Sequence, residues 1–431
     1  MNVTTQTFKE TFSPLRNRNV ATYLAGQSVS LFGTMMQATA QSWVVWQLSH
    51  STRDLGLVAM LGTLPLLLLG AFAGVWADRL NRRKVLVGTQ IISMALAFVF
   101  AILLHTGLIQ IWHIYALSLL LGCVNALDMP AQTAFVGDLS GNEQLRRAIV
   151  LNSMVVQVSR MVGPALAGWA ISALSAASVF WINGASFIAV IGSLLVVHSQ
   201  QVSKHAAEKG KGDMKEAFQF AAHQPRILDL LAMCLCVTFL VFSSGQLIPA
   251  IVTDTLHAGP ETLGLLMGAS GAGAVTGALL LVPLVQRARR PGLVIAAALA
   301  WTGAWFTLAV VIRSTWLWTA GMFLGSLSSP VVMTSSNALI QMMAPPGMKA
   351  RLISLWIITS FGMQPFGFLL VGYAGHFLGA PGAILLNGLL LIFGAIGMLV
   401  FRPGLRDWQP VAYEPVVAAG KPALANQPAG D

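Results

Sequence analysis

A chain of 431 residues that is 56% hydrophobic and only 9% charged, with a mean hydropathy of +0.73, lies far from a soluble globular protein, where about a quarter of residues are charged. It reads as an integral membrane protein. The net charge of +10 falls mostly on short connections between apolar runs, which membrane topology explains, so a nucleic-acid partner is excluded.

The first eighteen residues are polar, include Lys9, Arg16 and Arg18, and show no short apolar segment ending in a cleavage site. They read as an N-terminal tail, residues 1–18. Apolar runs long enough to cross about 30 Å of hydrocarbon then follow at 20–47, 55–77, 85–104, 111–136, 149–174 and 177–197. A polar linker at 199–225, with Lys204, Lys209, Lys211 and Lys215, separates them from six more at 227–252, 263–285, 293–312, 316–342, 352–373 and 383–401. The expectation is an all-α membrane protein of twelve transmembrane helices in two pseudo-symmetric six-helix bundles, at 19–198 and 226–402. Residues 403–431 hold Pro403, Pro410, Pro415, Pro422 and Pro428 and read as a disordered cytoplasmic tail. With the N-terminus inside, 22 of the 25 Lys and Arg fall on cytoplasmic segments; Arg53 and Arg313 fall outside and Arg160 lies within a span. That imbalance places both termini in the cytoplasm.

The halves read as repeats. Leu55-Gly56-Leu57 recurs 208 residues later as Leu263-Gly264-Leu265, and the same shift takes Arg79 to Arg287, Arg82 to Arg290 and Asp78 to Gln286. Arg147 with Gly163 sixteen residues on is echoed by Arg351 and Gly367. Cys123, Cys234 and Cys236 all lie in apolar segments, which argues against a disulfide framework or a metal clip.

Between the second and third runs stands a charged turn with Gly74, Asp78, Arg79, Arg82 and Arg83. Gly74 permits close backbone approach, and Asp78 is an anion that can sit at a helix N-terminus. This spacing, a glycine, three residues, Asp-Arg and a basic cluster, resembles the signature of the major facilitator superfamily between helices 2 and 3, with Asn81 where that family usually has a second glycine. The resemblance implies two parallel bundles about an axis normal to the membrane, with a substrate site near the midplane. It also implies that Asp78 faces helix 11, whose N-terminus lies near Arg351, and that Asp78, Arg82 and Asp138 form an inner latch holding the outward-open state.

Polar groups inside the bilayer must face a cavity or one another. In helix 1, Gln27, Ser30, Thr34, Gln37 and Gln41 step by three and four residues and form one stripe, within about 80° of arc at about 100° per residue. Either a cavity lining or a hydrogen-bonded seam between helices would account for it. Helix 4 repeats the pattern in Asn125, Asp128 and Gln132. Asp128 and Arg160 lie deep in antiparallel neighbours, within about 5 Å of one another in depth at 1.5 Å per residue. Two readings stay open: a permanent salt bridge locking helix 4 to helix 5, or a switchable pair in which Asp128 takes a proton as Arg160 turns to an anionic substrate group.

Around that pair, Asp128-Met129-Pro130-Ala131-Gln132, Arg146-Arg147-Ala148 and Arg160 through Gly168 resemble the bacterial exporter branch of the superfamily that includes the enterobactin exporter. The segment with Gly163, Pro164 and Gly168 is similar to the antiporter motif of helix 5, with Ser159 and Ala167 in place of glycines. A proline among small residues lets a helix bend and approach a partner closely. The second half has polar groups in Ser243, Ser244, Gln246, Ser328, Ser329, Ser335, Ser336, Asn337 and Gln364, and its Met333, Trp356 and Met363, with Trp43 and Trp46 of the first half, suit an apolar or aromatic ligand.

The resemblance implies a secondary transporter of the bacterial inner membrane that exports a small amphipathic compound, a siderophore or a lipophilic drug, by proton antiport and alternating access. A lipid or hydrophobic-metabolite exporter, an uptake carrier and a membrane sensor are the alternatives. No His, acid and nucleophile converge, and no phosphate-binding glycine loop is present, so an enzyme or an ATP-driven pump is excluded. The expected partners are a small-molecule substrate and the lipid bilayer, with the chain a monomer. No cofactor or metal is expected, the proton gradient being the driving force.

Overall fold

The computed structural model describes residues 12–79, 81–197, 214–311, 314–345 and 347–402; within these, the side chains of 71–79, 141–143, 146, 214, 215 and 286 are outside the description. All regular structure among the described residues is helical. The first half holds α1 (Arg18–Ser49), α2 (Thr52–Arg79), α3 (Arg82–His105), α4 (Ile111–Ser140), α5 (Arg147–Ala173) and α6 (Ala176–Val196). After a short amphipathic helix, Met214–His223, the second half holds α7 (Pro225–Thr255), α8 (Pro260–Val285), α9 (Pro291–Val311), α10 (315–343), α11 (349–378) and α12 (380–401).

Nine described segments are long and apolar enough by themselves to span a bilayer. The other three follow from physical detail. The polar stripe lowers the hydropathy of α1, a break at Leu327 divides α10, and α11 runs into α12 across Gly379, whose φ of 73° marks the reversal. Only a residue without a Cβ takes that conformation at little cost.

Helical hydrogen bonding runs without interruption from Ile111 to Ala173. A straight rod of that length would be about 95 Å long, several times the bilayer. Contacts with α1 show two antiparallel spans instead. On α4, Leu139 accepts from Asn17 and Ser118 accepts from Gln41, so α4 descends as α1 rises. On α5, Arg147 donates to Ser13 and Gly163 abuts Met35, so α5 rises with α1.

Close packing rests on small residues. Gly26 and Gly33 of α1 lie against Ser193 and Ser186 of α6, and Phe100 of α3 stacks on Phe180 of α6 with ring centroids 4.0 Å apart. The second half differs by its wide π turns at Val237–Phe242, Ile251–Thr255, Gly277–Leu281 and Ile358–Gly362. Two of them lie just before Pro283 and Pro365, and an inserted residue accommodates a carbonyl that proline cannot satisfy.

Arg82, Arg83, Arg147, Arg287, Arg351 and Arg402 gather at one end of the bundle, the basic face. The two halves meet on the opposite, far side along two equivalent seams. Between α2 and α11, a Cβ on Gly56 would lie 2.5 Å from the Phe368 carbonyl oxygen and 2.9 Å from Gly372 Cα. Between α8 and α5, one on Gly264 would lie 2.6 Å from the Pro164 carbonyl and 3.0 Å from Gly168 Cα. The shift of 208 relates Gly56 to Gly264, and a shift of 204 relates Pro164 and Gly168 to Phe368 and Gly372. Thr52 reinforces one seam by donating to the Gly372 carbonyl at 3.0 Å, and Ser172 the other by donating to Glu261.

Candidate functional site

Asp128 sits half-way along α4 with 8% of its surface exposed. Its Oδ1 accepts from Thr89 Oγ1 at 2.5 Å and Gln90 Nε2 at 3.0 Å, both on α3, and its Oδ2 accepts from Gln132 Nε2, one turn along α4, at 3.1 Å. All three donors are neutral. Tyr23 of α1 lies within electrostatic range of the same carboxylate, edge-on to Phe135, and its hydroxyl has no partner among the described residues. Gln27 Oε1 and Gln90 Oε1 are likewise buried without a partner. The buried polar atoms around Asp128 therefore keep hydrogen-bonding capacity in reserve, an uncommon condition in a packed interior.

Arg160 lies at about the same depth, near the level of Ser30 on α1 by interpolation between the contacts of α4 and α5 with that helix. It points elsewhere. The backbone at Arg160 abuts Gly271 of α8, its side chain is exposed, and it makes no ion pair or hydrogen bond among the described residues. The expected Asp128–Arg160 pair is therefore not formed in this conformation. Three donors on α3 and α4 already satisfy the carboxylate, while α5 sets the Arg160 backbone carbonyl against Gly271 at the seam with the second half.

The polar stripe of α1 divides. Gln41 donates to Ser118 of α4 at 2.7 Å and lines a cavity of about 220 Å³. Asn125, Thr63, Gln246 and Phe368 also line it, so it lies where the two halves meet. Gln37 instead accepts from Asn183 of α6 at 2.6 Å, deep in the α1–α6 seam. Thr34 bonds back to the Ser30 carbonyl, and Ser30 and Gln27 are buried. Both readings of the stripe hold in part: Gln41 lines the cavity and Gln37 sits in a hydrogen-bonded seam. Their angular difference, about 40° on a helical wheel, is enough to separate two neighbours in a tight bundle.

Trp356 of α11 packs edge-on to Phe361. Gln364 is half-buried just after the π turn of α11 and does not line the cavity beside Gln41. Gly163 and Gly168, flanking Pro164, are contact points of α5 with α1 and α8: a Cβ on Gly163 would lie 2.5 Å from Met35 Cβ, and one on Gly168 2.5 Å from the Pro260 carbonyl.

At the basic face, Arg82 Nη1 meets Asp138 Oδ1 at 2.6 Å. Both belong to the first half, so this ion pair ties α3 to α4 and does not by itself latch one half to the other. Arg83 donates to the Leu195 carbonyl of α6. Asn81 caps α3 by accepting from the Lys84 amide at 3.2 Å, a task that a glycine side chain cannot perform. The gate residues Gly74, Asp78 and Arg79 lie outside the described side chains. Two ion pairs went unforeseen. Arg351, at the start of α11, pairs with Glu216 of the Met214–His223 helix at 2.7 Å, and Arg402 pairs with Asp229 of α7 at 3.5 Å. The one sequence sign of the first was an acid in an amphipathic stretch close to Lys215; nothing in the sequence placed it against Arg351.

Among the described residues no group of His, Cys, Asp and Glu has the arrangement of a metal site. What the arrangement provides is a buried carboxylate among neutral donors, a cation at similar depth on another face, and a cavity between two halves.

A family model described as a transmembrane secretion effector matches residues 9–428. The multidrug efflux pump Tap of Mycolicibacterium fortuitum is 23% identical over 386 residues, covering 87% of this chain and 93% of its own. The enterobactin exporter EntS of Salmonella choleraesuis is 26% identical over 388 residues, covering 88% and 90%. Among solved structures, a bacterial homologue of the human lysosomal transporter Spinster superposes with a TM-score of 0.70 at 14% identity, over 93% of this chain and all of that one.

Proposed function

We propose, from the premise that this chain belongs to the transmembrane secretion effector family of the major facilitator superfamily, that it exports a small amphipathic compound in exchange for protons by alternating access. The chain is a multi-pass membrane transporter and not an enzyme. The direction of transport takes its support from relatives that are efflux proteins for drugs and for enterobactin. The substrate class takes its support from the cavity between the halves, where Gln41 and Asn125 offer hydrogen bonds beside Val45, Val58 and Phe368. A siderophore or a lipophilic drug fits that mixture of polar points on an apolar wall.

The observation that carries proton coupling is the setting of Asp128. A carboxylate in mid-span held by neutral donors alone has no fixed cation to keep it ionised, and intramembrane acids of this kind mark ion pathways. Arg160, exposed at similar depth, is the group that would meet an anionic substrate. With the basic face in the cytoplasm and the far seams closed, the described conformation is the one that loads substrate from the inside of a bacterial inner membrane. One chain supplies both halves of the cavity, so a monomer suffices, and the proton gradient replaces any cofactor.

The test is untargeted mass spectrometry of cells and medium from iron-limited cultures of a deletion strain, restored with the intact chain or with Asp128→Asn. A chelator retained by the deletion strain and released only by the intact chain is the expected result. Unchanged iron-limited metabolites would remove the siderophore and direct the search to hydrophobic drugs and dyes. Full export by the Asp128→Asn chain would remove the proton site.

A further inference from the structure

The second half has a groove that the transport pathway does not use. About 500 Å³ of apolar space lies between the last turns of α8, the first turns of α9 and the middle of α10, lined among others by Leu281, Leu284, Val294, Trp301 and Val331. Ser328 also lines it, but its hydroxyl is engaged with Thr302 and the Gly325 carbonyl, and the Trp301 indole N–H is spent on the Leu324 carbonyl at 2.8 Å. The wide turn at Gly277–Leu281, followed by Pro283, shapes the α8 wall, and Ala288, Ala297 and Ala298 leave space that larger side chains would fill. The groove opens sideways: Leu284 is 62% and Trp301 47% exposed. Both lie in membrane-spanning segments, so the occupant of the groove is hydrocarbon and not water.

At its basic end the connection from α8 to α9 carries Arg287, Arg289 and Arg290, with Arg287 and Arg289 exposed. The repeat shows what is unusual here. In the first half, the equivalent turn sets Asp78 beside Arg79, and Arg82 pairs with Asp138. In the second, Gln286 stands at the place of Asp78, and a shift of 204 brings Asp138 to Met342. Beside Arg287, the repeat has kept the cation and lost the acid. A hydrocarbon groove that ends beside Arg287 and Arg289, both exposed and without an acidic partner among the described residues, at a membrane surface matches one kind of molecule, a lipid with an anionic head.

We infer that this groove binds an anionic phospholipid, with one acyl chain along Leu281, Leu284, Val294 and Trp301 and the phosphate between Arg287 and Arg289. The test uses the full chain in detergent, given equimolar phosphatidylglycerol and phosphatidylcholine of matched chain length, with retained lipid read by native mass spectrometry. The intact chain should retain phosphatidylglycerol preferentially. Arg287→Gln with Arg289→Gln should cut that preference about 30-fold, at roughly a factor of five per arginine. Ala298→Phe, which fills the groove and leaves the arginines in place, should lower retention of phosphatidylglycerol as well. A photoactivatable phosphatidylglycerol should label peptides within 281–301. Equal retention of the two lipids by the intact chain, unchanged preference in the double variant, or labelling confined to other basic loops would overturn the assignment.

Discussion

Asp128 and Thr89 are the residues on which the proposed chemistry is most sharply exposed. Asparagine at 128 still accepts from Thr89 and Gln90 through its one carbonyl oxygen, so Asp128→Asn should fold and insert normally. It can neither take up nor release a proton. Purified Asp128→Asn in liposomes with an imposed pH gradient should therefore move substrate no faster than empty liposomes, while binding of substrate at equilibrium persists. Thr89→Val removes the shortest of the three hydrogen bonds and leaves the carboxylate undersupplied. It should destabilise the chain by about 1.5–3 kcal/mol where Asp128 is ionised, read from unfolding in mixed micelles, with Thr89→Ser restoring most of the loss. The depth of Asp128 and Arg160 was legible in the sequence, because depth is a count of residues at fixed rise. Their failure to pair was not, because azimuth depends on how helices 3, 4 and 5 rotate against one another, and that rotation is what brings Thr89 and Gln90 to Asp128. Gln37 and Gln41 teach the same lesson on one helix.

At the level of helices, the internal repeat was legible as Leu55-Gly56-Leu57 and Leu263-Gly264-Leu265, but its use was not. Each glycine marks the closest approach of a helix to the other half, and the partner glycines, Gly372 and Gly168, belong to a second pair of repeats with a different shift. Pairing α2 with α11 and α8 with α5 requires the two-fold arrangement, which no local pattern contains. Gly264→Leu places a side chain against the Pro164 carbonyl, and overpacking of this kind costs about 1–3 kcal/mol. That should shift the balance against the closed far seam by roughly 5- to 150-fold, seen as greater maleimide labelling of a cysteine placed at Ser270 from the far side. Gly56→Leu should act in the same direction at the other seam. Unchanged labelling in both variants would show that the glycines pack without controlling closure.

For the whole molecule, the described conformation has two closed seams on the far side, with Arg82–Asp138, Arg351–Glu216 and Arg402–Asp229 at the basic face. Arg82 with Asp138 stays inside the first half, and Arg351 is engaged by Glu216 of the linker helix. Neither of these two ion pairs has to break for the halves to part at the basic face, whereas the far seams must separate before substrate can leave on that side. Under the proposed alternating access, the far seams are the obligatory moving parts. Ser172→Cys with Glu261→Cys, in a chain whose Cys123, Cys234 and Cys236 are replaced by alanine, puts thiols at the Ser172–Glu261 contact. Bridging them with a short thiol-specific cross-linker should stop export completely and leave substrate binding from the basic side intact, because the loading conformation is the one being fixed. A cleavable linker should restore transport on reduction. Export that continues through the bridged seam would mean that substrate leaves by a route other than the interface between the halves.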